Sequence, residues 1–519
     1  LVIPVPYGVA LKLVVVAGMV ALPGAAWFAA RMAGLPSPTP ALFALFAAVF
    51  LFDRSFNIYG GNLMSTMAGE FAFSLSLTTA VVYLGVAARG LETGRHRALA
   101  GALLALTGLF HLFPAFFALV ATAGLLVARC GRRELRWTVT TGILAGALSA
   151  FWVLPFFWNR TYLNDMGWGK ERRYVSALWS RSAFDYDFLR NDPPLQLFVV
   201  LALVGVVLAL WRGRRLGIAL GFTALVFAAA FVVLPESRLW NVRLLPFYYL
   251  SVYLAAAVAL GELVHLVGEG ASALQRRRTA ASVAGGGSAP AALAGGSALV
   301  IVAVVLVSLA LPLRSLPGGS VGADGAYHWG PLSTREFNLG PFWLEYNFRG
   351  YEDKSGYEGG GGTVEYTALM ATMAKVGREY GCGRALWEYE AQRLGSYGTT
   401  MAPMLLPHWT DRCIASMEGL YFEASSTTPY HFLMQSELSA APSRAQRDLP
   451  YTGLDVAAGV DHLQLMGVRY YMAFSPSAVA AARAEPELTE IATSGPWVIF
   501  LVADSEPVVG LDHLPVVWT

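Results

Sequence analysis

The first 313 residues alternate between long apolar runs and short polar turns, and this alternation constrains the fold more than any other feature of the sequence. A helix that crosses the ~30 Å hydrocarbon core of a bilayer needs about 20 mostly apolar residues, and short or paired helices use fewer. Ten runs approach that length, at residues 8–30, 39–52, 71–88, 98–110, 114–128, 138–157, 195–211, 216–234, 244–267 and 297–313. We therefore predict an α-helical polytopic membrane domain with about ten spans.

The composition of the chain agrees with residence in a bilayer. Of the 519 residues, 55% are hydrophobic and only 14% are charged, whereas soluble domains carry about 25% charged residues. The sequence contains no stripe of Lys and Arg with interleaved aromatic residues, so nucleic acid is excluded as a partner. A strong excess of Arg over Lys is typical of GC-rich bacterial genomes and predicts a bacterial plasma membrane.

Four arginine clusters give the predicted spans an orientation. Short basic loops remain on the cytoplasmic side of a membrane, and with ten spans all four clusters fall on one side. They are Arg89/Arg95/Arg97, Arg129/Arg132/Arg133/Arg136, Arg212/Arg214/Arg215 and Arg276/Arg277/Arg278. The other side then receives residues 53–70, 158–194 and 235–243 and the chain after residue 314. The same parity puts the first residue, a Leu, outside, and predicts a further span upstream of this sequence.

The character of the chain changes after the predicted spans. Residues 268–296 include a repetitive stretch of small residues that cannot form a core, so we predict a flexible cytoplasmic linker there. From residue 315 onward, mixed charges, aromatic residues and short β-like runs are sufficient for one α/β or α+β domain. We predict a multi-span domain at residues 1–314 and an extracytoplasmic domain at residues 315–519.

Two of the three cysteines, Cys382 and Cys413, fall in the predicted outer domain, where a disulfide persists. A bonded pair and two buried thiols are equally compatible with their spacing. The cysteines and the scattered histidines lack the spacing of zinc ligands.

A polar segment at residues 53–70 contains the first candidate site residues. Asp53 and Glu70 lie at its two ends, and Arg54 and Asn62 lie within it. Ionisable groups at membrane depth are costly and often functional. Asp53 and Glu70 are therefore candidate catalytic residues, which bind a divalent cation such as Mg²⁺ or Mn²⁺ or position a sugar hydroxyl. For Glu70 a plainer interpretation is also open, because a carboxylate at the start of a helix is stabilised by the helix dipole.

The connection at residues 235–243 supplies a second group of candidates. Its two arginines are suited to gripping a lipid phosphate, although arginines beside a Trp are also typical of a membrane-interface belt. The candidate substrate-binding residues here are Glu236, Arg238, Asn241 and Arg243.

His111, at a break between two apolar runs, is a candidate ligand or proton carrier, and the alternative is a residue that caps a turn. In the predicted outer domain, aromatic and acidic residues either line a carbohydrate cleft or belong to the core and surface, and we favour the second interpretation. They are Trp387, Glu388, Glu390, His408 and Trp409.

Four segments carry a resemblance to a known family: FDRSFNIYGGNLMSTMAGEFAFSLSL (52–77), GLFHLFPAFFALV (108–120), RLWNVRLLPFYYLSVYL (238–254) and GYEDKSGY (350–357). The chain resembles GT-C glycosyltransferases, in particular the bacterial group labelled "6-pyruvoyl-tetrahydropterin synthase-related" membrane proteins. The resemblance implies a polyprenyl-phosphate-linked sugar donor and an acidic residue in each of two outside loops. With one upstream span missing, Asp53 or Glu70 matches the second acidic position, and the first has no counterpart in this sequence.

The expected function is transfer of a sugar from a polyprenyl-phosphate donor to an envelope glycan, lipid or protein on the outer face of the membrane. A transporter or flippase of lipid-linked glycans is one alternative, and it predicts internal repeats and charges near the membrane midplane. A non-enzymatic envelope scaffold is the other. The sequence contains no Ser/His/Asp constellation, nucleotide-binding fingerprint or HExxH motif that indicates a soluble hydrolase, kinase or dehydrogenase.

Overall fold

The structure, a computed structural model, describes residues 5–53, 55–166, 169–180, 195–236, 239–279, 320–322, 327–329, 332–334, 362–418, 422–506, 508 and 510. The chain divides into two compact units. The first comprises Leu1–Phe156 and Gly169–Pro341, and the second comprises Phe157–Trp168 and Phe342–Thr519. The segment Phe157–Trp168 thus belongs to the second unit, although it lies far from the predicted boundary at residue 314.

The first unit is built from helices. They are α1 (Tyr7–Met32), α2 (Thr39–Leu51), α3 (Leu63–Met67), α4 (Phe71–Thr93), α5 (Arg97–Phe110), α6 (Leu112–Ala128), α7 (Arg132–Trp158), α8 (Leu195–Arg212), α9 (Arg215–Val233) and α10 (Leu245–Thr279). A 3-10 turn at Asn241–Leu244 precedes α10. The short strands β1 (Ser320–Val321), β2 (Tyr327–Trp329) and β3 (Leu332–Thr334) form a separate antiparallel sheet.

Six helical segments among the described residues are long and apolar enough to cross a membrane: α1, α4, α7, α8, α9 and Asn241–Gly270. Three further apolar helices, α2, α5 and α6, have only 13, 14 and 17 residues. At 1.5 Å per residue they reach about 20–26 Å, which is less than the ~30 Å hydrocarbon core. The multi-pass membrane unit is confirmed, but the count of ten spans is not, because hydropathy alone also counts short helices.

The predicted spans and linker near residue 300 are only partly described. Helix α10 continues to Thr279, so the first part of the predicted linker 268–296 is helical rather than flexible. The remainder of the linker and the tenth run, at residues 297–313, lie outside the described residues.

Helices α4 and α10 are the inner helices of the bundle, whereas most of α7 is exposed. Hydroxyl groups on α4 bind the neighbouring helices. Thr78 Oγ1 donates to the carbonyl of Gly18 in α1 at 2.7 Å, and Ser76 Oγ donates to the carbonyl of Thr107 in α5 at 2.7 Å. Such bonds satisfy polar groups inside an apolar bundle and stabilise helix pairs.

The end of the bundle where α4 ends and α7 and α9 begin is called the arginine end. Arg133 donates there to the carbonyl of Glu92, and Arg214 binds the buried Glu262 at 2.6 Å. The opposite end, where α4, α6 and α10 begin, is called the loop end. The bundle therefore separates clustered arginines from the polar loops that the sequence marks as candidate site elements.

The second unit contains a five-stranded mixed sheet. Its strands are β4 (Gly383–Trp387), β5 (Ile414–Ser416), β6 (Val468–Ala473), β7 (Leu488–Ser494) and β8 (Trp497–Val502), in the order β5-β4-β6-β8-β7. Strand β4 is parallel to β5 and β6, and β8 is antiparallel to β6 and β7. The helices are α11 (Gly362–Tyr380), α12 (Ala391–Gly395), α13 (Leu406–Trp409), α14 (Thr428–Glu437), α15 (Val456–Leu465) and α16 (Pro476–Ala484).

Side chains of this sheet are buried on both faces. Tyr470 and Met472 of β6 pack in one cluster with α11, whereas Tyr471 and Ala473 pack in another with α14, α15 and α16. Burial on both faces explains why residues 470–473 of β6 and the whole of β8 are apolar runs rather than alternating ones. The second unit is the globular domain with a sheet that the sequence predicts.

Cys382 and Cys413 form a disulfide, which resolves the alternative that their spacing left open. The bond joins the starts of β4 and β5 across a sequence separation of 31 residues. It ties the edge strand β5 to the neighbouring strand β4.

We expect Cys413→Ser to lower the free energy of unfolding of the second unit by about 3–4 kcal/mol, because a cross-link over this separation restricts the unfolded chain. Hydrogen exchange of β4 and β5 amides in the full chain measures the change. Cys130→Ser, which removes an exposed free cysteine, is the control and leaves exchange unchanged. Equal exchange in all three proteins contradicts the prediction.

Candidate functional site

The loop between α2 and α4 is held in shape by the side chain of Asn62. Its Nδ2 donates to the carbonyls of Asp53 and Phe56, each at 2.7 Å, and its Oδ1 accepts from Ser65 N at 2.9 Å. Asn62 is completely buried and caps the short helix α3. The side chain that the sequence assigns to substrate binding therefore satisfies backbone groups of the loop.

Asp53, the first residue of this loop, is held in place by hydrogen bonds. It is 1% exposed, and its Oδ1 accepts from Ser55 N at 3.0 Å and Ser55 Oγ at 2.7 Å. Its Oδ2 accepts from the hydroxyl of Tyr253 at 2.7 Å. Tyr253 lies about two turns into α10, so this hydrogen bond fixes the end of α2 against an inner helix.

Glu70 forms an ion pair with Arg243. Glu70 lies at the N-terminus of α4, but its side chain makes no capping hydrogen bond to that helix. The carboxylate contacts the guanidinium of the connection that precedes α10, 173 residues away in the sequence. Both side chains are about one-fifth exposed. The structure thus brings together the two candidate segments at the loop end, 53–70 and 235–243.

His111 lies beside this pair, in the break between α5 and α6. Its ring is 5.1 Å from that of Phe73, and its Nδ1 accepts from Phe113 N at 3.3 Å. Burial lowers the pKa of His111 to about 4, and the positive charge of Arg243 acts in the same direction. His111 is therefore neutral at physiological pH and caps α6, which is the plainer of its two predicted roles.

Asn241 holds a neighbouring loop by hydrogen bonds to its backbone, in the same way that Asn62 does. Its Oδ1 accepts from Glu171 N at 2.9 Å, and its Nδ2 donates to the carbonyls of Glu171 at 2.9 Å and Phe231 at 3.0 Å. Asn241 is 2% exposed, so its amide is committed to backbone contacts.

The loop held by Asn241 contains two charged residues that the sequence analysis did not select as candidates. Arg173 binds the carboxylate of Glu171 through two nitrogens, at 3.1 and 2.9 Å. Burial raises the pKa of Tyr59, and the negative charge of Glu171 acts in the same direction. Tyr59 also packs edge-on against Trp240, with ring centroids 5.6 Å apart. No local motif marks Glu171 or Arg173, because both lie in a loop of mixed charge.

Two other candidates lie outside the described residues, namely Arg54 and Arg238. Glu236 is exposed on the connection before α10. The described part of the chain contains no group of three or more His, Cys, Asp or Glu side chains placed to hold a metal ion. Asp53 accepts hydrogen bonds from Ser55 and Tyr253, and Glu70 binds Arg243.

The shape of the loop 53–70 depends on glycine. Gly60 and Gly69 have φ angles of 113° and 117°, which side chains disfavour. A Cβ at Gly60 comes within 2.6 Å of the Phe73 ring, whereas a Cβ at Gly69 meets no atom within 4 Å.

We expect Gly60→Ala to destabilise the first unit by about 1–3 kcal/mol more than Gly69→Ala. Both variants carry backbone strain, but only Gly60→Ala also displaces the packed Phe73 ring. Thermal unfolding of the detergent-purified full chain measures the difference. Equal melting temperatures for the two variants mean that the contact with Phe73 has no influence.

The second unit places one of its two candidate acidic residues, Glu388, in the core. Glu388 is 1% exposed. Its Oε2 accepts from the backbone N–H groups of Phe474 and Ser475, both at 2.8 Å, and its Oε1 accepts from Ala440 N at 3.3 Å. These bonds tie β4 to the start of α16. Trp387 is also buried, as the core interpretation of these residues requires.

A second buried acid lies next to a buried histidine in this unit. Glu418 Oε1 is 3.7 Å from His431 Nε2. Burial raises the pKa of Glu418 to about 7 and lowers the pKa of His431 to about 4. Both side chains are therefore largely neutral near pH 6, and neither was marked by the sequence analysis.

The Glu418 pKa predicts a loss of stability at high pH. Folding raises it from 4.5 to about 7, so the stabilising contribution is complete below pH 4.5 and is lost as pH rises through about 7. The pKa of His431 is lowered from 6.5 to about 4, so its effect has the opposite sign. Its stabilising contribution is lost as pH falls below 6.5. Above pH 6.5, of these two groups mainly Glu418 changes the stability with pH.

We expect the melting temperature to fall between pH 6.5 and 8 in the wild type and in Glu379→Gln, an exposed control, but not in Glu418→Gln. An equal fall in all three contradicts this.

The chain was also compared with known proteins. No protein-family model matches it, and no curated protein matches it.

Proposed function

We propose that this chain is a GT-C-type membrane glycosyltransferase that transfers a sugar from a polyprenyl-phosphate donor to an acceptor of the cell envelope. The observation that carries the proposal is the Glu70–Arg243 ion pair at the loop end, beside the neutral His111. A carboxylate and a guanidinium at one partly exposed point supply a base for an acceptor hydroxyl and a cation for a lipid phosphate. The resemblance of residues 52–77 and 238–254 to GT-C enzymes supports the same assignment.

In the proposed reaction, the acceptor hydroxyl oxygen attacks the anomeric carbon of the donor sugar. The new bond forms from that oxygen to the anomeric carbon, and the bond from the anomeric carbon to the phosphate oxygen breaks. Glu70 accepts the hydroxyl proton. The electron pair of the broken bond leaves with the polyprenyl phosphate, whose added negative charge Arg243 stabilises. We assign no step to a divalent cation.

The resting ion pair makes this reaction depend on donor binding. Arg243 binds Glu70 in the structure, so a donor phosphate must compete with Glu70 for the guanidinium. When the phosphate binds, the carboxylate loses its partner and becomes free to accept a proton. The pair thereby keeps the base occupied until a donor is present.

Asp53 has a positioning role in this proposal. It is buried and accepts three hydrogen bonds from Ser55 and Tyr253, whereas Glu70 is the carboxylate that solvent reaches. Asn62 joins the carbonyl of Asp53 to α3 and so holds the loop that leads to Glu70.

The location follows from the two ends of the bundle. Apolar helices support a multi-pass membrane protein, and we propose that its arginine end faces the cytoplasm of a bacterium. The disulfide between Cys382 and Cys413 is typical of an oxidising compartment, which supports a second unit outside the plasma membrane. The loop end and its acceptor then lie outside as well.

The test is sugar transfer by the full chain in proteoliposomes, from a panel of radiolabelled polyprenyl-phosphate sugars to envelope acceptors. We expect Glu70→Gln to lower the rate at least ~100-fold, since general base catalysis contributes that much. Asp53→Asn lowers it less, through misplacement of the loop. Glu269→Gln is the matched control: this carboxylate also binds an arginine, Arg212, but at the arginine end, and its rate stays that of the wild type.

Two outcomes contradict the proposal. Full transfer by Glu70→Gln removes the base from the mechanism. If no donor supports transfer, the glycosyltransferase assignment is wrong. Translocation of the intact donor across the vesicle membrane then indicates the flippase alternative, and the absence of both activities indicates the scaffold.

A further inference from the structure

The arginine end contains a site that the proposed reaction does not use. Glu134, in the first turn of α7, is 5% exposed. Its Oε1 lies 3.6 Å from Arg133 Nη2 and 3.9 Å from Arg215 Nη2, and the charge of Arg129 also acts on it. Three positive charges therefore face one carboxylate, and neither of these two contacts is close enough for a hydrogen bond.

A second carboxylate near these arginines, that of Glu92, already has an ion-pair partner. Glu92, at the end of α4, acts on Arg215, but its carboxylate pairs with Arg89 at 3.4 Å. The cluster of Arg129, Arg133 and Arg215 thus keeps an excess of positive charge at the end of an apolar bundle.

Arg215 has unused hydrogen-bonding capacity. Its two terminal nitrogens are buried, and neither donates a hydrogen bond to a residue in the described ranges. A guanidinium carries five N–H groups, and leaving buried donors unpaired is costly. A planar fork of this kind is suited to two oxygens of a phosphate.

An apolar strip runs away from this cluster along α7. Leu135, Val139 and Ile143 follow each other at intervals of four residues and are 52%, 50% and 67% exposed. Residues at this spacing lie on one face of a helix, and α7 is the least buried of the candidate spans. A ligand with a phosphate for the arginines and an acyl chain for this strip matches both features, whereas a free phosphate matches only the first.

We infer that the arginine end holds the headgroup of an anionic phospholipid, with its phosphate bound by Arg215 and its charge stabilised by Arg129 and Arg133. The acyl chains lie along the exposed strip of α7. Anionic headgroups attract each nearby arginine with about 1 kcal/mol. The site is independent of the proposed transfer reaction, since it lies at the opposite end of the bundle from Glu70.

The test measures lipid binding by the purified full chain. Native mass spectrometry counts retained phosphatidylglycerol against phosphatidylcholine, and thermal unfolding records stabilisation by each lipid and by inorganic phosphate. We expect phosphatidylglycerol to be retained and to stabilise the wild type. Arg215→Gln and Arg129→Gln each weaken its binding about fivefold, the equivalent of ~1 kcal/mol. Arg136→Gln, which removes an exposed arginine of α7, is the matched control and weakens binding less than Arg215→Gln or Arg129→Gln does.

Three results overturn the inference. An equal loss of phosphatidylglycerol binding in Arg215→Gln and Arg136→Gln indicates a general attraction of anionic lipid to surface arginines. Stabilisation by inorganic phosphate equal to that by phosphatidylglycerol indicates a free anion as ligand. Equal retention of the two lipids indicates no headgroup site. Arg215→Lys guards against misfolding, because it keeps the charge and retains more binding than Arg215→Gln if the site exists.

Discussion

The ion pair between Glu70 and Arg243 connects the starts of the two inner helices. Glu70 immediately precedes α4, and Arg243 lies in the 3-10 turn that leads into α10. These two helices are the most deeply buried of the candidate spans. Because the pair is partly exposed, it contributes little stability by itself. Its importance is geometric: it fixes where two loops meet, and the chemistry proposed for the chain depends on that meeting point.

The loops around this pair face a second constraint, since backbone groups at membrane depth require partners inside the protein. Asn62 and Asn241 solve this problem in the same way, each with an amide that bonds to backbone groups on both sides of a turn. Asp53 adds a third anchor through Tyr253. The rigid part of the loop end is thus built from buried polar side chains, and Glu70, Arg243 and Glu236 remain accessible.

Local sequence patterns predicted the elements better than their contacts. Apolar runs located the helices of the first unit, and the runs from Val468 and Trp497 became β6 and β8. Hydropathy did not distinguish short helices from full spans. It also gave no partner for Asp53 or Glu70, because the pairing of Glu70 with Arg243 spans 173 residues and leaves no periodic signal. A tyrosine such as Tyr253, within an apolar helix, resembles ordinary core until the fold places a carboxylate beside it.

The competition between Glu70 and a donor phosphate for Arg243 is most directly tested by binding rather than by turnover. The measurement is the Kd of the full chain for a polyprenyl phosphate without sugar, in wild type, Glu70→Gln and Arg243→Gln. We expect Glu70→Gln to bind about fivefold more tightly than the wild type, because ~1 kcal/mol of competing ion pair is removed, and Arg243→Gln to bind more weakly. Equal affinities in all three proteins contradict the proposed competition for Arg243.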